Sequence, residues 1–525
     1  MPGTAPSRRT TPPATAPPAA GPPAAAPSGG HERLTTRPGL VLATVSVCQL
    51  MVTLDASIVN IALPAMGGSL GFADSSLPWV VNAYALAFGG LLLLGGRIAD
   101  LVGHRRAVLS GLVLFGLASV VGGFAQTPAQ LVAARAGQGV AAAVLAPIGL
   151  TLIMVTFAEG AARARAVGIW SMVTAGGSAL GVLLGGVLTD LLDWRWVFFV
   201  NAPIVLLGLA LAVRSVAAVR PSPTGRPDVL GAVLGTGATT VLVLGLMETE
   251  RHPWGSGRTL GTLGAAVLLG ILFLLWETRF ASAPIVRPGL LRGRTAWVSS
   301  LLVTLLGAGM LAGFYFCSLF LQNVLGYGPL AAGAAFLPFC AGTAAGSMLA
   351  GRLTARYGGR ATLTGALLLT ALGMLWFGAL DLDSDYLTGF AGPSIVTSLG
   401  VGICMVANTA MGTSGVDPRE AGLVSGLLNA ARQCGGSIGL AVLSTVAVAA
   451  TRRAAADGDA ARAALAAGYD RAFVVTAGVL LVATLLALLF APSRRSADRT
   501  AAATGAGAGA ATATGTASAA KPSRQ

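Results

Sequence analysis

Charged side chains are scarce in this sequence. Only 10% of its 525 residues are Asp, Glu, Lys or Arg, and lysine occurs once, as Lys521. Soluble proteins typically carry about 25% charged residues. Hydrophobic residues make up 54% of the chain and its mean hydropathy is +0.76. These values exclude a water-soluble globule of this length and predict an integral membrane protein.

Histidine and cysteine are also sparse, with three and five copies. The histidines fall in a tail or in loops between apolar runs, and the cysteines have no spacing typical of a zinc site or a disulfide framework. We therefore expect no metal site, no cofactor and no enzymatic activity. The cysteines all lie within apolar runs: Cys48, Cys317, Cys340, Cys404 and Cys434.

Fourteen apolar runs are long enough to cross a hydrocarbon core about 30 Å thick. Many are rich in Gly and Ala, which favours close packing of helices in lipid. The sequence therefore predicts an all-α integral membrane protein. The predicted helices cover residues 40–63, 77–95, 107–125, 130–153, 166–189, 196–213, 229–247, 260–277, 297–321, 330–350, 361–380, 388–410, 422–449 and 472–491.

The net charge of +14 follows the loops rather than one basic face. Basic residues concentrate in alternate loops, and acidic residues collect in the others. The positive-inside rule then places both termini in the cytoplasm of a multi-pass protein in the cell membrane. We expect the basic loops to contact the lipid bilayer and not nucleic acid. Residues 1–36 and 493–525 have low-complexity compositions that predict disordered cytoplasmic tails.

Two short patterns occur twice in the chain. The segment Gly96–Arg105 after the second apolar run is echoed by Gly351–Arg360 after the tenth, and Gly176–Gly181 is echoed by Gly435–Gly439. Two six-helix halves separated by two inserted helices would produce this register. The predicted boundaries are 37–214, 215–294 and 295–492. Internal repeats of this kind are typical of secondary transporters, whose substrate sites lie between the repeats.

Asp55 is the one carboxylate in the first apolar run, 40–63. A carboxylate at membrane depth costs at least about 2.5 to 3.5 kcal/mol, so it is usually functional and faces a polar cavity. We interpret Asp55 as a group that responds to protons or cations in a transporter. The alternative is a structural Asp that only pairs with a neighbouring helix.

The loop after the second predicted helix carries glycines and a cluster of charges. Glycine permits a tight reversal, and the arginines are expected at the anionic inner surface. The acidic residue either pairs with these arginines or caps a helix of the other half, as a latch that opens when the halves move. The alternative is a loop that only sets topology. The candidate latch residues are Gly96, Arg97, Asp100, Gly103, Arg105 and Arg106.

This loop resembles the signature of the major facilitator superfamily. The segment 54–64 resembles the helix 1 motif of the superfamily's fourteen-helix drug:proton antiporter branch, and 131–139 resembles the helix 4 motif with Arg135 at its Arg position. The segments 193–204 and 431–436 are similar to the start of helix 6 and to helix 13 of that branch. The resemblance spans the whole predicted membrane region.

The resemblance implies the major facilitator fold and a secondary transporter that works as a monomer. It further implies export of hydrophobic or amphipathic drugs or antibiotics in exchange for protons, with the proton gradient as the energy source. Helix 5 departs from the family pattern, because Gly181-Val182 stands where antiporters carry a Gly-Pro pair. A metabolite facilitator or an uptake symporter on the same fold is the alternative.

The depths of Asp55 and Arg135 in the membrane predict that the two side chains form a pair. Helix 1 runs outward and helix 4 runs inward, which puts Asp55 roughly 13 Å and Arg135 roughly 9 Å below the same outer face. A proton arriving at Asp55 would release Arg135, whose position in the family is associated with proton coupling. Snorkelling of Arg135 to the outer headgroups is the alternative.

Polar and aromatic side chains in or beside several predicted helices are candidate substrate contacts. Aromatic rings with a few amides suit large apolar ligands, although each amide can instead join two helices by a hydrogen bond. The candidates are Asn60, Asn82, Tyr84, Gln138, Tyr315, Gln322, Asn323, Asn408, Asn429, Arg432 and Gln433. The glycines predicted to pack helix 5 are Gly177, Gly181, Gly185 and Gly186.

Overall fold

The computed structural model describes residues 38–73, 76–158, 160–216, 228–249, 252–281, 294–379, 386–414 and 421–492, together with residues 3 and 284. Regular secondary structure within these ranges is entirely helical. The two predicted disordered tails lie, apart from residue 3, outside the described residues.

Within the described residues, fourteen helices have the length and composition to cross a membrane, which confirms the predicted number. They are α1 (Pro38–Leu70), α2 (Trp79–Val102), α3 (His104–Gly123), α4 (Pro128–Thr156), α5 (Ala161–Leu191), α6 (Trp196–Ser215), α7 (Val229–Glu248), α8 (Gly257–Phe280), α9 (Thr295–Val324), α10 (Pro329–Tyr357), α11 (Gly359–Phe377), α12 (Tyr386–Gly412), α13 (Val424–Ala456) and α14 (Ala461–Phe490).

Several helices extend well beyond the predicted apolar runs. Helix α1 continues to Leu70 with Pro64 inside it, although the prediction ended at residue 63. Helix α14 begins at Ala461, eleven residues before the predicted start. Hydropathy measures only the part of a helix that is apolar, whereas Ala and Arg at its ends continue the helix into the polar region. The predicted ends were wrong for this reason.

Glycines hold α5 against α1 and α13 against α9. A Cβ atom on Gly181 would stand 2.6 Å from the carbonyl oxygen of Leu54, and one on Gly439 would stand 2.4 Å from the Cα of Ala308. Such contacts leave room only for a glycine hydrogen. The repeated glycine pattern of the sequence therefore corresponds to equivalent helix pairs in the two halves of the chain.

The repeated loops also have the same backbone geometry. Gly103 between α2 and α3 has φ 88°, and Gly358 between α10 and α11 has φ 83°. A side chain is disfavoured at such φ values. The arginine two residues beyond each glycine donates to a backbone carbonyl near the C-terminal end of another helix: Arg105 to Val213 of α6 and Arg360 to Leu488 of α14.

The halves meet at the helix ends that the positive-inside rule predicts to lie outside. On α9, the Ser318 hydroxyl donates to the carbonyl of Asn60 at 2.7 Å, and Gln322 Nε2 donates to the carbonyl of Ile61 at 3.0 Å. Gly186 of α5 lies against the backbone of Pro329 at the start of α10. These contacts join α1 to α9 and α5 to α10.

The two inserted helices form a pair, and α7 lies against both halves. The side chain of Thr236 fills the space beside Gly90 of α2, and the Thr445 hydroxyl of α13 lies 3.4 Å from the carbonyl of Leu246. Helix α8 packs chiefly against α7. The predicted domain boundaries stay predictions, because residues 217–227 and 285–293 lie outside the described part of the chain.

Candidate functional site

A buried ion pair lies inside the first half of the molecule. Arg135 Nη1 of α4 is 2.5 Å from Asp55 Oδ2 of α1, and the two side chains are 1% and 0% exposed. The α1 and α4 backbones bring together two residues that are 80 positions apart in sequence. The pairing predicted from depth is therefore confirmed, and Arg135 does not snorkel to the outer surface.

The second carboxylate oxygen accepts two amide hydrogen bonds. Gln138 Nε2 of α4 and Asn201 Nδ2 of α6 lie 2.8 Å and 2.9 Å from Asp55 Oδ1. The Ser119 hydroxyl of α3 accepts from Gln138 Nε2 at 2.9 Å. Four helices thus contribute to one network around Asp55. Both oxygens of this buried carboxylate therefore have hydrogen-bond donors, as buried polar groups require.

The guanidinium group is held by further contacts from α2. Arg135 Nε donates to the carbonyl of Val80 at 3.0 Å, and Nη1 also donates to Gln138 Oε1 at 2.8 Å. Its central carbon lies 4.4 Å from the ring centroid of Tyr84, which is a cation–π distance. These contacts hold the Arg135 guanidinium group against α2 as well as against Asp55.

The charges of Asp55 and Arg135 depend on each other. Ionised, the carboxylate and the guanidinium compensate each other in a site that water does not reach. Protonation of Asp55 would leave Arg135 charged and without its counter-ion, and an uncompensated buried charge is strongly destabilising. The packing of α1, α2, α4 and α6 at this site therefore depends on the charges of both side chains.

Two predicted substrate contacts belong to this network instead. Gln138 binds both members of the ion pair, and Tyr84 is buried beneath the guanidinium. Both side chains are buried in this conformation, and their role as substrate contacts stays a prediction. Sequence reasoning missed Asn201 and Ser119. Asn201 had a signal, since it is an amide near the start of an otherwise apolar helix.

Four further candidates are also fully buried. Asn60 donates to the carbonyl of Ala56 in its own helix, and Asn408 donates to the carbonyl of Ser299. Asn82 is 0% exposed, and its amide has no hydrogen-bond partner among the described residues. Tyr315 is also buried, beside Phe316.

Two candidates at the outer end of α9 join helices. Gln322 bonds to α1, as described above, and Asn323 Nδ2 lies 3.5 Å from the hydroxyl of Tyr469 on α14. Both lie in a wider π-helical turn that ends α9. These amides follow the alternative in which polar side chains bind helix to helix.

The candidates on α13 lie in the second half. Arg432 and Asn429 are half-buried, and an Nη2 of Arg432 donates to Asn429 Oδ1 at 2.7 Å. Gln433 packs against Gly89 of α2. The structure thus divides the predicted substrate residues among the ion-pair network, helix junctions and α13, and it does not collect all of them in one pocket.

The predicted latch is only partly described. Gly103 makes the reversal through its positive φ, whereas Gly96 lies inside α2 with its Cα hydrogen facing Pro147 of α4. The expectation that Gly96 forms the turn was therefore wrong, because the helix continues through it. Arg97 is half-buried and Arg106 is exposed. The Asp100 side chain lies outside the described part, so the latch role stays a prediction.

Glycines of α5 lie where helix packing requires them. Gly177 faces the Thr53 side chain, Gly185 faces the carbonyl of Ile58, and Gly186 faces α10. Helix α5 runs without interruption from Ala161 to Leu191. Among the described residues, no group of three or more His, Cys, Asp or Glu side chains has the arrangement of a metal site.

Relatives of the chain include antibiotic export and resistance proteins. A cephamycin export protein of Amycolatopsis lactamdurans is 41% identical over 464 residues, which cover 88% of this chain and 94% of that protein. A puromycin resistance protein of Streptomyces alboniger is also 41% identical, with 88% and 93% covered. A tetracenomycin C resistance and export protein of Streptomyces glaucescens is 34% identical, with 79% and 76% covered.

Solved structures share the fold at low sequence identity. A bacterial homologue of the human lysosomal transporter Spinster, inward-facing and occupied, has a TM-score of 0.63 at 18% identity, with 88% of this chain and 97% of that chain covered. A proton-dependent oligopeptide transporter has a TM-score of 0.62 at 18% identity, with 88% and 100% covered. The sequence model of the Major Facilitator Superfamily matches residues 45–440. The chain is therefore a multi-pass membrane protein that belongs to the major facilitator superfamily, in its fourteen-helix drug:proton antiporter branch.

Proposed function

We propose that this protein exports hydrophobic or amphipathic small molecules, including antibiotics, from the cytoplasm in exchange for protons. The observation that carries the proposal is the ion pair of Asp55 and Arg135, which is buried, joins α1 to α4 and binds donors from α4 and α6. The export and resistance activities named for the relatives support the substrate class.

Proton exchange follows from the chemistry of the pair. A proton bound at Asp55 removes the negative charge, and Arg135 then favours any conformation that gives it water or another acceptor. Loss of the proton restores the pair and the packed network. Proton binding at Asp55 can therefore be exchanged for substrate movement, because the charge of Asp55 biases which conformation is stable.

Alternating access requires the contacts between the halves to break. The bonds from Ser318 and Gln322 to the α1 backbone hold the outer ends together. An outward-open state would lose both bonds and separate Gly186 from α10. The charged loop after α2 is proposed to act as the latch on the inner side.

The proposal includes the location and the working unit. The protein lies in the plasma membrane with both termini in the cytoplasm, works as a monomer within the lipid bilayer, and needs no cofactor besides the proton gradient. It moves its substrate without chemical change and is not an enzyme.

A facilitator or an uptake symporter is the second candidate. It is favoured by α5, in which Val182 takes the place of the proline of the antiporter motif and is fully buried. The two candidates differ in the direction of coupling. Only an antiporter releases protons from the vesicle lumen when substrate enters from the outside.

The experiment uses inverted membrane vesicles that contain the full chain. Respiration acidifies the lumen, and puromycin is then added outside. We expect uptake of the compound, partial loss of the pH difference, and loss of uptake with a protonophore. Uptake that a protonophore leaves unchanged would refute proton exchange and favour a facilitator.

A further inference from the structure

One face of α13 points between the two halves. Gln433 contacts α2 at Gly89, and the backbone of Arg432 contacts α9 at Gly307. Arg432 and Asn429 are one turn apart, so they share a face. That face lies between the side toward α2 and the side toward α9.

The opposite side of α13 supports this orientation. Ala441 packs in a cluster with Val243 and Met247 of α7, and Thr445 approaches the carbonyl of Leu246. With 3.6 residues per turn, these residues lie on the side of α13 opposite to Arg432. Arg432 therefore faces the interior of the transporter and not the inserted helices.

Arg432 has no acidic partner in the part of the chain that the structure describes. Its one hydrogen bond to a described residue goes to Asn429 Oδ1, and no described carboxylate lies within ion-pair distance. A guanidinium group carries five donors in a planar fork that matches a carboxylate. Most of these donors are available to a ligand, whereas those of Arg135 are directed at Asp55, Gln138 and Val80.

An aromatic surface begins farther outward along α9. Gly307 lies beside the backbone of Arg432, and Phe314, seven residues on, lies on the same face about 10 Å nearer the outer side. The Phe314 ring stacks on Phe336 of α10 at 4.5 Å and meets the edge of Phe339 at 5.8 Å. Phe314 and Phe339 are half-buried and form the accessible edge of this surface, with Phe336 behind them.

We propose that Arg432 and this aromatic surface bind amphipathic organic anions. The acid group, a carboxylate or its equivalent, would accept hydrogen bonds from Arg432, while an aromatic ring of the same molecule would pack on Phe314 and Phe339. This inference rests on the proposed export function and narrows its substrate class. The positive charge of Arg432 lies in a region of low dielectric constant. It therefore disfavours binding of a ligand with a positively charged group beside it.

The test is equilibrium binding to the purified full chain in detergent, without a proton gradient. Three fluorescent probes share one aromatic ring system: dansylglycine has a carboxylate, dansylglycinamide is neutral, and dansylcadaverine is a cation. We expect the wild type to bind dansylglycine roughly tenfold or more tightly than the amide, the gain from one charge-assisted contact. Dansylcadaverine should bind most weakly.

Substitutions separate the two parts of the site. Arg432→Gln should abolish the preference for the carboxylate and retain binding of the amide, and Arg432→Lys should keep part of the preference. Phe314→Ala should weaken binding of both probes equally. Arg214→Gln, which removes a positive charge from the exposed inner end of α6, is the control and should change nothing.

Two results would overturn the inference: a wild type that does not prefer dansylglycine, or an Arg432→Gln variant that keeps the preference. If Arg432→Gln binds neither probe, then the preference of Arg432→Lys decides, and its loss counts against the inference. Because no gradient is present, selective binding combined with failed proton-driven transport would refute the exchange mechanism and leave this site standing.

Discussion

Asp55 and Arg135 form a pair in which neither charge reaches solvent, and each member makes further hydrogen bonds within the first half of the molecule. Removing one member of a buried pair typically costs about 3 to 5 kcal/mol, because the other charge remains buried without compensation. Loss of either side chain therefore lowers the stability of the protein. This effect must be measured separately from the proposed role of the pair in transport.

A double-mutant cycle measures this coupling. Asp55→Asn and Arg135→Gln should each lower the apparent melting temperature of the purified protein, since each leaves one charge alone. The double variant should melt above the temperature expected from adding the two losses, because it contains no unpaired charge. Losses that add within experimental error would show that the two side chains are not coupled.

The glycine contacts between α1 and α5 give a second prediction. Gly181→Ala should lower the melting temperature, because the new methyl group would meet the Leu54 carbonyl and the Ser57 hydroxyl. Gly176→Ala lies in the same helix with nothing within 4 Å of the added Cβ. This control should be neutral or slightly stabilising, by up to about 1 kcal/mol of helix propensity. Equal effects at both positions would contradict the described packing.

The reversal between α10 and α11 gives a third prediction. Gly358→Ala should destabilise the protein by about 1 to 2 kcal/mol, since its φ of 83° is left-handed. Its neighbour Gly359 has ordinary helical geometry and open space. Gly359→Ala should therefore be tolerated. Thermal unfolding of the two variants in detergent compares them directly, and a tolerated Gly358→Ala would mean that this reversal is not fixed as described.

Topology is tested by cysteine labelling in intact cells. In a cysteine-free background, Asp193→Cys in the loop between α5 and α6 should react with a membrane-impermeant maleimide, because this exposed position is predicted to face outward. Arg106→Cys at the start of α3 is equally exposed but predicted to face the cytoplasm. It should react only after the cells are opened. The reverse pattern would invert the predicted orientation.

The sequence predicted correctly the features that depend only on position along a helix. The number of helices followed from hydropathy, and the pairing of Asp55 with Arg135 followed from direction and depth. The partners Ser119 and Asn201 were missed because their inclusion depends on how α3 and α6 are rotated about their axes. Hydropathy contains little information on rotation when a helix is apolar on all sides.

The same limit applies to Gly96 and Gln138. A glycine in a charged loop pattern is compatible with a turn or with close packing, and only the position of α4 shows that Gly96 packs. A polar side chain in an apolar helix is compatible with substrate contact or with a network. Three-dimensional packing decides between these alternatives, and composition does not.

The most direct test of the central claim compares two transport modes of Asp55→Asn in proteoliposomes. Exchange of labelled for unlabelled puromycin at equilibrium needs no net proton movement, whereas accumulation driven by a pH difference does. We predict that Asp55→Asn retains exchange and loses driven accumulation, while Asp457→Asn, which alters an exposed carboxylate, keeps both. Driven accumulation that persists in Asp55→Asn would contradict the assignment of proton coupling to Asp55.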